Sequence, residues 1–220
     1  MLNLVIVGGE GNGGVIASVI ESADYVGEKI VLLGFLNDEE REVAGYPVLG
    51  KVGEWNRLPE DTKFIWAIHT IGRNLLIERA YSRADIPEHR LVSVIHKDSF
   101  VAESAVIGNG VFVMRGCYVG PRSDLGVSSM LMANVCFGHD SSCGVGCHFS
   151  MGAIVGSYVD IGNYADVTLG ARVIEKVRIG DFGVVGSCAL ATHDVEKGSI
   201  VLGVPARFHR FIENWDQKEK

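Results

Sequence analysis

The sequence predicts a chain of two parts, a small α/β unit with a parallel sheet followed by a parallel β-helix. Strand-like and helix-like runs alternate from residue 2 to about residue 90. A strict period of six residues then begins at Ile95 and continues to Ala191. The chain also has 28 glycines in 220 residues, against an average of about 7%, which fits a structure with many tight turns.

In the first part, buried strands alternate with helices. The run LNLVIVG predicts a strand and GGVIASVIESAD a helix; KIVLLGFL and KFIWAIH predict two more strands, and RNLLIERAYSRA a second helix. Strands separated by helices form parallel sheets. We therefore expect a small Rossmann-like domain over residues 1–90 and a second domain over residues 91–220.

In the second part, an apolar residue recurs at every sixth position for 16 steps. A hexapeptide period is typical of a β-helix, in which short strands stack coil on coil and bury one apolar ladder. Three hexads form one triangular coil, so the repeat predicts between five and six coils. The positions are Ile95, Val101, Ile107, Val113, Val119, Leu125, Leu131, Phe137, Cys143, Phe149, Val155, Ile161, Val167, Val173, Ile179, Val185 and Ala191.

Composition narrows the class of protein. The formal net charge of -7, with no basic stripe, argues against a nucleic-acid-binding protein. Cys117, Cys143 and Cys147 fall at inward positions of the repeat, where a cysteine acts as a small core residue. Five cysteines, no secretory signal and no apolar run of membrane-spanning length predict reduced thiols in a cytoplasmic protein.

The stretch CFGHDSSCGVGCH is the first candidate site. Metal binding is disfavoured because His139 and His148 are the only histidines of the middle coils. A disulfide does not fit the predicted compartment, and nucleophilic chemistry is open, although Cys143 faces inward. Proton transfer fits best, since a neutral imidazole is an available base near pH 7. Asp140 beside His139 could fix its tautomer and stabilise the imidazolium.

The spacing of the two histidines predicts an oligomer. Nine residues separate His139 from His148, which is half of an 18-residue coil. One chain would therefore hold them on different sides of the prism. If both serve one active site, they come from adjacent subunits.

The run VIVGGEGNGGVI is the second candidate site. It contains G-x-G-x-x-G at Gly9, Gly11 and Gly14, between a strand and a helix, where glycines and a helix N-terminus favour a phosphate. Asp38, after the second strand, could accept a hydrogen bond from a ribose or a base. About 90 residues supply only one half of a dinucleotide fold, so a nucleoside diphosphate sugar fits better. A tight turn without a ligand stays open.

With the hexads, GNGGVI near the start, GHD followed by a histidine nine residues later, and LGVPAR near the end, the chain resembles the PglD/NeuD-type family of nucleotide-sugar acetyltransferases. The resemblance extends over essentially the whole chain. It implies a left-handed parallel β-helix, a homotrimer with acetyl-CoA between neighbouring β-helices, and no metal. It also implies acetyl transfer to the amino group of a UDP-linked amino-dideoxy sugar, in glycan or lipopolysaccharide assembly.

The resemblance also implies roles for individual residues. His139, with Asp140, takes the proton from the sugar amine, His148 orients the acetyl group, and backbone amides at Gly156 and Ser157 stabilise the thioester oxygen. The implied cofactor-binding residues are Gly152, Ala153, Gly170, Ala171, Val204, Pro205, Ala206 and Arg207. The implied nucleotide-sugar-binding residues are Gly8, Gly9, Gly11, Asn12, Gly13, Asn37, Asp38 and Thr70.

The chain departs from the family pattern mainly where the substrate is expected. Asn12 stands where the glycine-rich turn usually carries a histidine, and Asn37-Asp38 stands where two aspartates are usual. His69 and Thr70 follow the third strand, where the family usually lacks such polar side chains.

Two alternative functions stay open. One is O-acetyl transfer to a hydroxyl group of a sugar or a sialic acid on the same fold. The other is a non-catalytic hexapeptide-repeat protein whose glycine-rich turn senses a nucleotide. The His139–Asp140 pair argues against the second alternative.

Overall fold

The computed structural model describes residues 1–215, and both predicted parts are present. In the first part a sheet has the strand order β3-β4-β2-β1-β5, with β1 parallel to β2 and to β5. β2 and β4 are parallel, and β3 and β4 form a hairpin. The strands are β1 (Leu2–Val7), β2 (Ile30–Leu36), β3 (Glu42–Val43), β4 (Tyr46–Gly50) and β5 (Lys63–Trp66). The helices are α1 (Glu10–Glu21) and α2 (Asn74–Ala84), with 3₁₀ turns at Val52–Arg57 and Glu88–Arg90.

The three strands and two helices predicted from the alternation are confirmed, with two differences. The hairpin of β3 and β4 was not predicted. Helix α1 begins at Glu10, directly after the extended residue Gly9, so the glycine motif lies largely in the first turns of the helix. Gly13 is tolerated there because it packs tightly: a Cβ at this position would lie 2.9 Å from the ring of Phe35.

The second part is a left-handed parallel β-helix, as the resemblance implied. Each coil places one two-residue strand on each of three faces. The first face contains β6 (Val94–Ile95), β9 (Phe112–Val113), β12 (Met130–Leu131), β15 (His148–Phe149), β18 (Asp166–Val167) and β21 (Val184–Val185). The second face contains β7 (Phe100–Val101), β10 (Tyr118–Val119), β13 (Cys136–Phe137), β16 (Ile154–Val155), β19 (Arg172–Val173) and β22 (Leu190–Ala191). The third face contains β8 (Val106–Ile107), β11 (Asp124–Leu125), β14 (Ser142–Cys143), β17 (Asp160–Ile161) and β20 (Arg178–Ile179).

The predicted apolar ladder forms the core of the β-helix. Its members from Val113 to Ala191 are buried, whereas Ile95, Val101 and Ile107 are partly buried because they belong to the first coil, which caps the stack. Each fully buried aliphatic side chain contributes roughly 1.5–3 kcal/mol. Cys143 and Cys147 lie in this core, as predicted, and all five cysteines are free thiols.

The outward residues of the first face are also buried, unlike those of the other two faces. The first part of the chain covers them: Phe112 and Met130 share one apolar cluster with Leu4, Ile6 and Ile16. The outward first-face residues are Val94, Phe112, Met130, His148, Asp166 and Val184. The α/β unit therefore sits on the first face, and the outward residues of this face form the contact between the two parts.

The C-terminal strands extend the first face. Strand β23 (Ser199–Leu202) pairs with β21, and β24 (Arg207–Phe211) turns back to pair antiparallel with β23. Among residues 1–215, neither helix has the length and apolar character that crossing a bilayer requires.

Candidate active site

His139 lies at the corner where the chain passes from the second face to the third. It follows β13, and its side chain is 43% exposed. Its Nδ1 is 2.6 Å from Oδ2 of Asp140. A carboxylate can only accept a hydrogen bond, so the contact assigns the ring proton to Nδ1 and leaves the lone pair of Nε2 free. The sequence prediction placed a base and its orienting carboxylate here, and the geometry brings the two together.

Arg122, one coil earlier, hydrogen-bonds the same carboxylate. Its Nε donates to Oδ1 of Asp140 at 2.6 Å and its Nη2 donates to Oδ2 at 2.7 Å. Arg122 first, and then His139, lowers the pKa of Asp140 to about 2. Asp140 is therefore an ionised and fixed acceptor at neutral pH. Sequence analysis missed Arg122, although it stands 18 residues before Asp140 and so at the same corner.

Gly156 and Ser157 lie at this corner one coil further along. The amide of Tyr158 donates to the carbonyl of His139, and the Tyr158 ring meets the His139 imidazole edge to face, with centroids 5.4 Å apart. The structure therefore brings His139, Asp140 and the Gly156–Ser157 turn into one neighbourhood. The assignment of this turn to the thioester oxygen stays a prediction.

Nucleophilic catalysis next to His139 is disfavoured by burial. Ser141 is 1% exposed, and its hydroxyl donates to the carbonyl of Gly156 inside the coil. Cys143 is 6% exposed and belongs to the core. Neither side chain is aimed at solvent beside the imidazole, so proton transfer is the chemistry that the corner supports.

His148 lies on a different face from His139, in contact with the α/β unit. It is 6% exposed and its ring stacks on that of His69, with centroids 4.0 Å apart and planes 7° apart. Burial, followed by His69, lowers its pKa to about 3, against the opposing effect of Asp166. His148 is therefore a neutral, enclosed ring at the contact between the two parts. Its role in orienting an acetyl group stays a prediction.

Asp166 completes this cluster. It is fully buried, with Oδ1 2.9 Å from Nε2 of His69 and Oδ2 accepting from the Asn74 amide at 2.9 Å. Burial raises the pKa of Asp166, but His69, His148 and Asn74 outweigh it and the pKa lies below its ordinary value. Sequence analysis noted His69 as an unusual residue but missed Asp166, whose signal was its place in the outward register of the first face.

The cluster raises the question of a metal site, which sequence analysis disfavoured for lack of a third ligand. His69, His148 and Asp166 offer ligand atoms within 4.8 Å of one another. The two rings lie face to face, however, and nitrogen lone pairs directed along parallel planes do not converge on one ion. The arrangement fits an imidazole–carboxylate pair backed by a second ring better than a coordination sphere.

The glycine-rich segment forms one side of a surface cavity of about 340 Å³. Gly9, Gly11 and Asn12 line it together with His69 and Glu40. The amides of the first turn of α1 lie on this side, where a helix N-terminus favours an anion. The cavity is thus shared between the predicted turn and the loop after β5.

Five residues expected at the nucleotide sugar do not line this cavity. Gly13 is buried against Phe35, and Thr70 lies outside the cavity lining, where its neighbour His69 stands instead. The Asn37 amide donates to the carbonyl of Gly8, and its Oδ1 accepts two backbone amides. Asp38 uses Oδ1 to accept the amide of Val52, which leaves its other oxygen available. The side chains of Asn37 and Asp38 thus bind the local backbone. Gly8, at φ +148, packs against Ala67.

The residues expected at the cofactor lie at two other places. Gly152 and Gly170 stack at the corner between the first and second faces. Beside them, Ala153 and Ala171 are fully buried, so only their backbone could reach a cofactor. Within one chain this corner is not the corner of His139.

The second cofactor segment is the turn between β23 and β24. It contains Val204 and Pro205, and its Ala206 and Arg207 line a cavity of about 630 Å³ with Phe208. The cavity has both apolar walls and polar groups, among them His193.

Comparison with known proteins places these features in a family. Residues 3–83 match the family described as the PglD N-terminal domain. The carnitine operon protein CaiE of Escherichia coli is 31% identical over 139 residues, which cover 56% of this chain and 70% of that protein.

Two solved structures are similar over nearly the whole chain. A variant of perosamine N-acetyltransferase from Caulobacter crescentus, in complex with CoA and GDP-perosamine, has a TM-score of 0.80 at 27% identity, covering 94% of this chain and 96% of that chain. The acetyltransferase domain of PglB from Neisseria gonorrhoeae, in complex with acetyl coenzyme A, has a TM-score of 0.80 at 28% identity, covering 94% and 98%. Both likenesses include the α/β unit and the β-helix.

Proposed function

Since this chain belongs to the PglD/NeuD-type family of hexapeptide-repeat sugar acetyltransferases, we propose that it transfers the acetyl group of acetyl-CoA to the amino group of a nucleotide-linked amino sugar, with His139 as general base. One observation carries the proposal. The His139 ring is exposed, and its Nδ1 is fixed by an ionised Asp140, which Arg122 holds in turn. This geometry leaves a directed lone pair on Nε2.

In the proposed reaction the lone pair on Nε2 of His139 accepts one proton. The sugar amine attacks the thioester carbonyl carbon, and Nε2 of His139 takes the proton lost by the nitrogen. The carbon–sulfur bond then breaks, and the imidazolium returns the proton to the sulfur, so that CoA leaves as a thiol. Asp140 stabilises the imidazolium formed in the first of these steps. Its low pKa, about 2, keeps it from taking the proton itself. A positioned base of this kind contributes roughly 10²- to 10⁴-fold to the rate.

A homotrimer would assemble the complete site. The second face carries exposed apolar residues, among them Phe100, Tyr118 and Ile154. If this face is turned toward a threefold axis, the His139 corner of one chain approaches the Gly152–Gly170 corner of the next. That arrangement also brings His139 near the neighbour's first face, which carries the cavity of its α/β unit.

The acceptor is proposed to bind with its diphosphate at the first turn of α1. The cavity of about 340 Å³ beside Gly9, Gly11 and Asn12 supports this placement. GDP-perosamine is bound by the Caulobacter crescentus relative, so a GDP-linked sugar stands beside the UDP-linked sugar that the sequence favoured. The five free thiols fit the cytoplasm, the compartment that we propose.

The test is thiol release from acetyl-CoA with a panel of UDP-, dTDP- and GDP-linked amino sugars and the corresponding sugars that carry a hydroxyl group in place of the amine. We expect turnover on one of them, and a loss of roughly 10²- to 10⁴-fold in kcat with His139→Asn. His89→Asn, which changes an exposed histidine outside the site, is the matched control and should be fully active.

The outcomes separate the alternatives. Turnover only on sugars that lack the amine would support O-acetyl transfer. An active His139→Asn enzyme would remove the general base from the mechanism. Binding of acetyl-CoA without turnover on any amine or hydroxyl would overturn the proposed function.

A further inference from the structure

The loop after β5 places a second histidine–carboxylate pair at the glycine-lined cavity. His69 has its Nε2 2.9 Å from the carboxylate of Asp166 and one ring face against His148. The same ring lines the cavity of about 340 Å³ with Gly9, Gly11 and Asn12. This pair is separate from the His139–Asp140 pair, and the reaction proposed above does not use it.

The position of the ring is fixed by two residues of the β-helix. Asp166 comes from β18 and His148 from β15, and both belong to the rigid β-helix. Asp166 also accepts from Asn74 at 2.9 Å and faces the amide of Gly72 at 3.4 Å. It therefore anchors the N-terminus of α2, where a negative charge is favoured by the helix dipole. A loop residue held by a second domain in this way is preorganised rather than adaptable.

The charges of the cluster show why the ring stays there. Asp166 is fully buried, and a buried carboxylate without a partner is strongly destabilising. His148 is neutral, since burial lowers its pKa to about 3. His69 is the ring whose Nε2 lies 2.9 Å from the Asp166 carboxylate, so replacing either residue leaves the other without this contact.

One polar atom of His69 is left over. Its Nε2 is buried and lies 2.9 Å from Oδ1 of Asp166, an ionic contact outside hydrogen-bond geometry. Within residues 1–215 its Nδ1 has no hydrogen-bond partner and is not among the buried unpaired atoms. Nδ1 is therefore the ring nitrogen available to the cavity. A hydroxyl group both donates and accepts, so it can pair with Nδ1 in either protonation state of the ring.

We propose that His69 is a specificity-determining residue for the acceptor, which hydrogen-bonds a hydroxyl group of the sugar through Nδ1, and that Asp166 and His148 position it. We assign the sugar, rather than the nucleotide, to His69 because acetyl transfer is proposed to take place on the β-helix. His69 is the cavity residue that contacts the β-helix, through its stack on His148. This inference rests on the proposed function, and it goes further by naming the group that selects the sugar.

The test compares His69→Gln, His69→Phe and Asp166→Asn. A glutamine amide reaches the position of Nε2 and preserves the contact with Asp166 but removes Nδ1; phenylalanine preserves only the stack on His148. We expect His69→Gln to raise KM for the nucleotide sugar roughly 10- to 100-fold, with KM for acetyl-CoA and the melting temperature close to wild type. Asp166→Asn should raise the same KM and also lower the melting temperature. His69→Asn, whose amide reaches the position of Nδ1, should recover part of the affinity.

An unchanged KM in His69→Gln, with loss of stability in His69→Phe, would overturn the inference and leave His69 a structural residue. Calorimetric binding of the UDP- or GDP-linked amino sugar separates this result from failure of the proposed function. Binding that needs His69 but leads to no acetyl transfer supports the inference and contradicts the function. Turnover in which His69→Gln is indistinguishable from wild type contradicts the inference and supports the function. Absence of both binding and turnover contradicts the inference and the function.

Discussion

At the scale of single residues, Asp140 contacts His139 and Arg122 at once. Its Oδ2 fixes the tautomer of His139, and Arg122 donates one hydrogen bond to each of its two oxygens. A bidentate contact with a guanidinium holds a carboxylate in one orientation. Arg122 is therefore a positioning residue, which keeps Asp140 in place beside the imidazole.

Replacement of Arg122 should lower the rate of acetyl transfer. In Arg122→Met the Asp140 carboxylate loses both hydrogen bonds that fix it, so it orients the His139 ring less well. We expect a loss of kcat smaller than the roughly 10²- to 10⁴-fold loss of His139→Asn, with KM for acetyl-CoA unchanged. The measurement is steady-state kinetics at pH 7, with Arg83→Met on the exposed side of α2 as control. A wild-type kcat in Arg122→Met would show that Asp140 orients His139 without this support.

His148 should make stability sensitive to acid. Its folded pKa is about 3, below the ordinary value of about 6.5, so the unfolded chain binds the proton first. The contribution is complete above about pH 6.5 and is lost as the pH falls toward 3, by about 1.4 kcal/mol per pH unit. The groups that face this ring, His69 and Asp166, belong to the same cluster. The pKa of Asp166 is lowered from its ordinary value of 3.8, so its contribution to stability is complete above that pH and is lost only below it.

The check is urea unfolding at pH 7 and pH 4.5. His148→Phe preserves the stacked ring but cannot titrate, so between these pH values it should lose roughly 2–3 kcal/mol less than wild type. His89→Phe, at an exposed position, should behave as wild type. Equal acid sensitivity of His148→Phe and wild type would assign the effect to other groups.

At the scale of elements, the sequence predicted repetition well and local exceptions poorly. The hexad ladder predicted the coils and their core, because the inward residues of every coil have to be apolar. The hairpin of β3 and β4 and the early start of α1 were missed, because both depend on packing against other elements. The cluster around Asp166 was missed since its residues are distant in sequence and meet only when the α/β unit lies on the first face.

The glycines of α1 differ in what an added methyl group would meet. At Gly11 a Cβ meets nothing within 4 Å, at Gly14 only Ala44 at 4.0 Å, and at Gly13 the Phe35 ring at 2.9 Å. Gly11→Ala and Gly14→Ala should each stabilise the protein by about 0.5–1 kcal/mol through helix propensity, and Gly13→Ala should destabilise it by about 1–3 kcal/mol.

Only Gly11 of these three lines the cavity. Gly11→Ala should therefore raise KM for the nucleotide sugar while raising the melting temperature, and Gly14→Ala should raise the melting temperature alone. Thermal unfolding together with substrate kinetics distinguishes the two. Identical kinetics in both variants would place the diphosphate elsewhere.

At the scale of the whole molecule, the three faces of the prism are unequal. The first is covered by the α/β unit, the third carries polar residues such as Asp124 and Asp160, and the second exposes Phe100, Tyr118 and Ile154. An apolar column of this kind on one face favours self-association. The same asymmetry assigns His139 and the Gly152–Gly170 corner to opposite borders of the second face.

A charge on the second face should separate the subunits. We expect wild type to sediment as a trimer of the 23.7 kDa chain, and Ile154→Lys to sediment as a monomer with little activity, because an unpaired charge in an apolar contact is costly. Val106→Lys, at an exposed position of the third face, should be trimeric and active. Circular dichroism checks that both variants are folded, and an active monomer would mean that one chain contains the whole site.

The stacking of coils also restricts how the chain can change in length. Equivalent positions on one face recur every 18 residues, as in the pairing of His148 with Asp166. An insertion of six residues between them would transfer Asp166 to the neighbouring face and abolish its contact with the α/β unit, although every hexad would be intact. An insertion of 18 residues would return it to its face, one strand spacing of about 4.8 Å further along. An insertion between His148 and Asp166 therefore keeps Asp166 on its face only when it adds whole coils, and we expect viable length variants in this segment to differ by multiples of 18 residues.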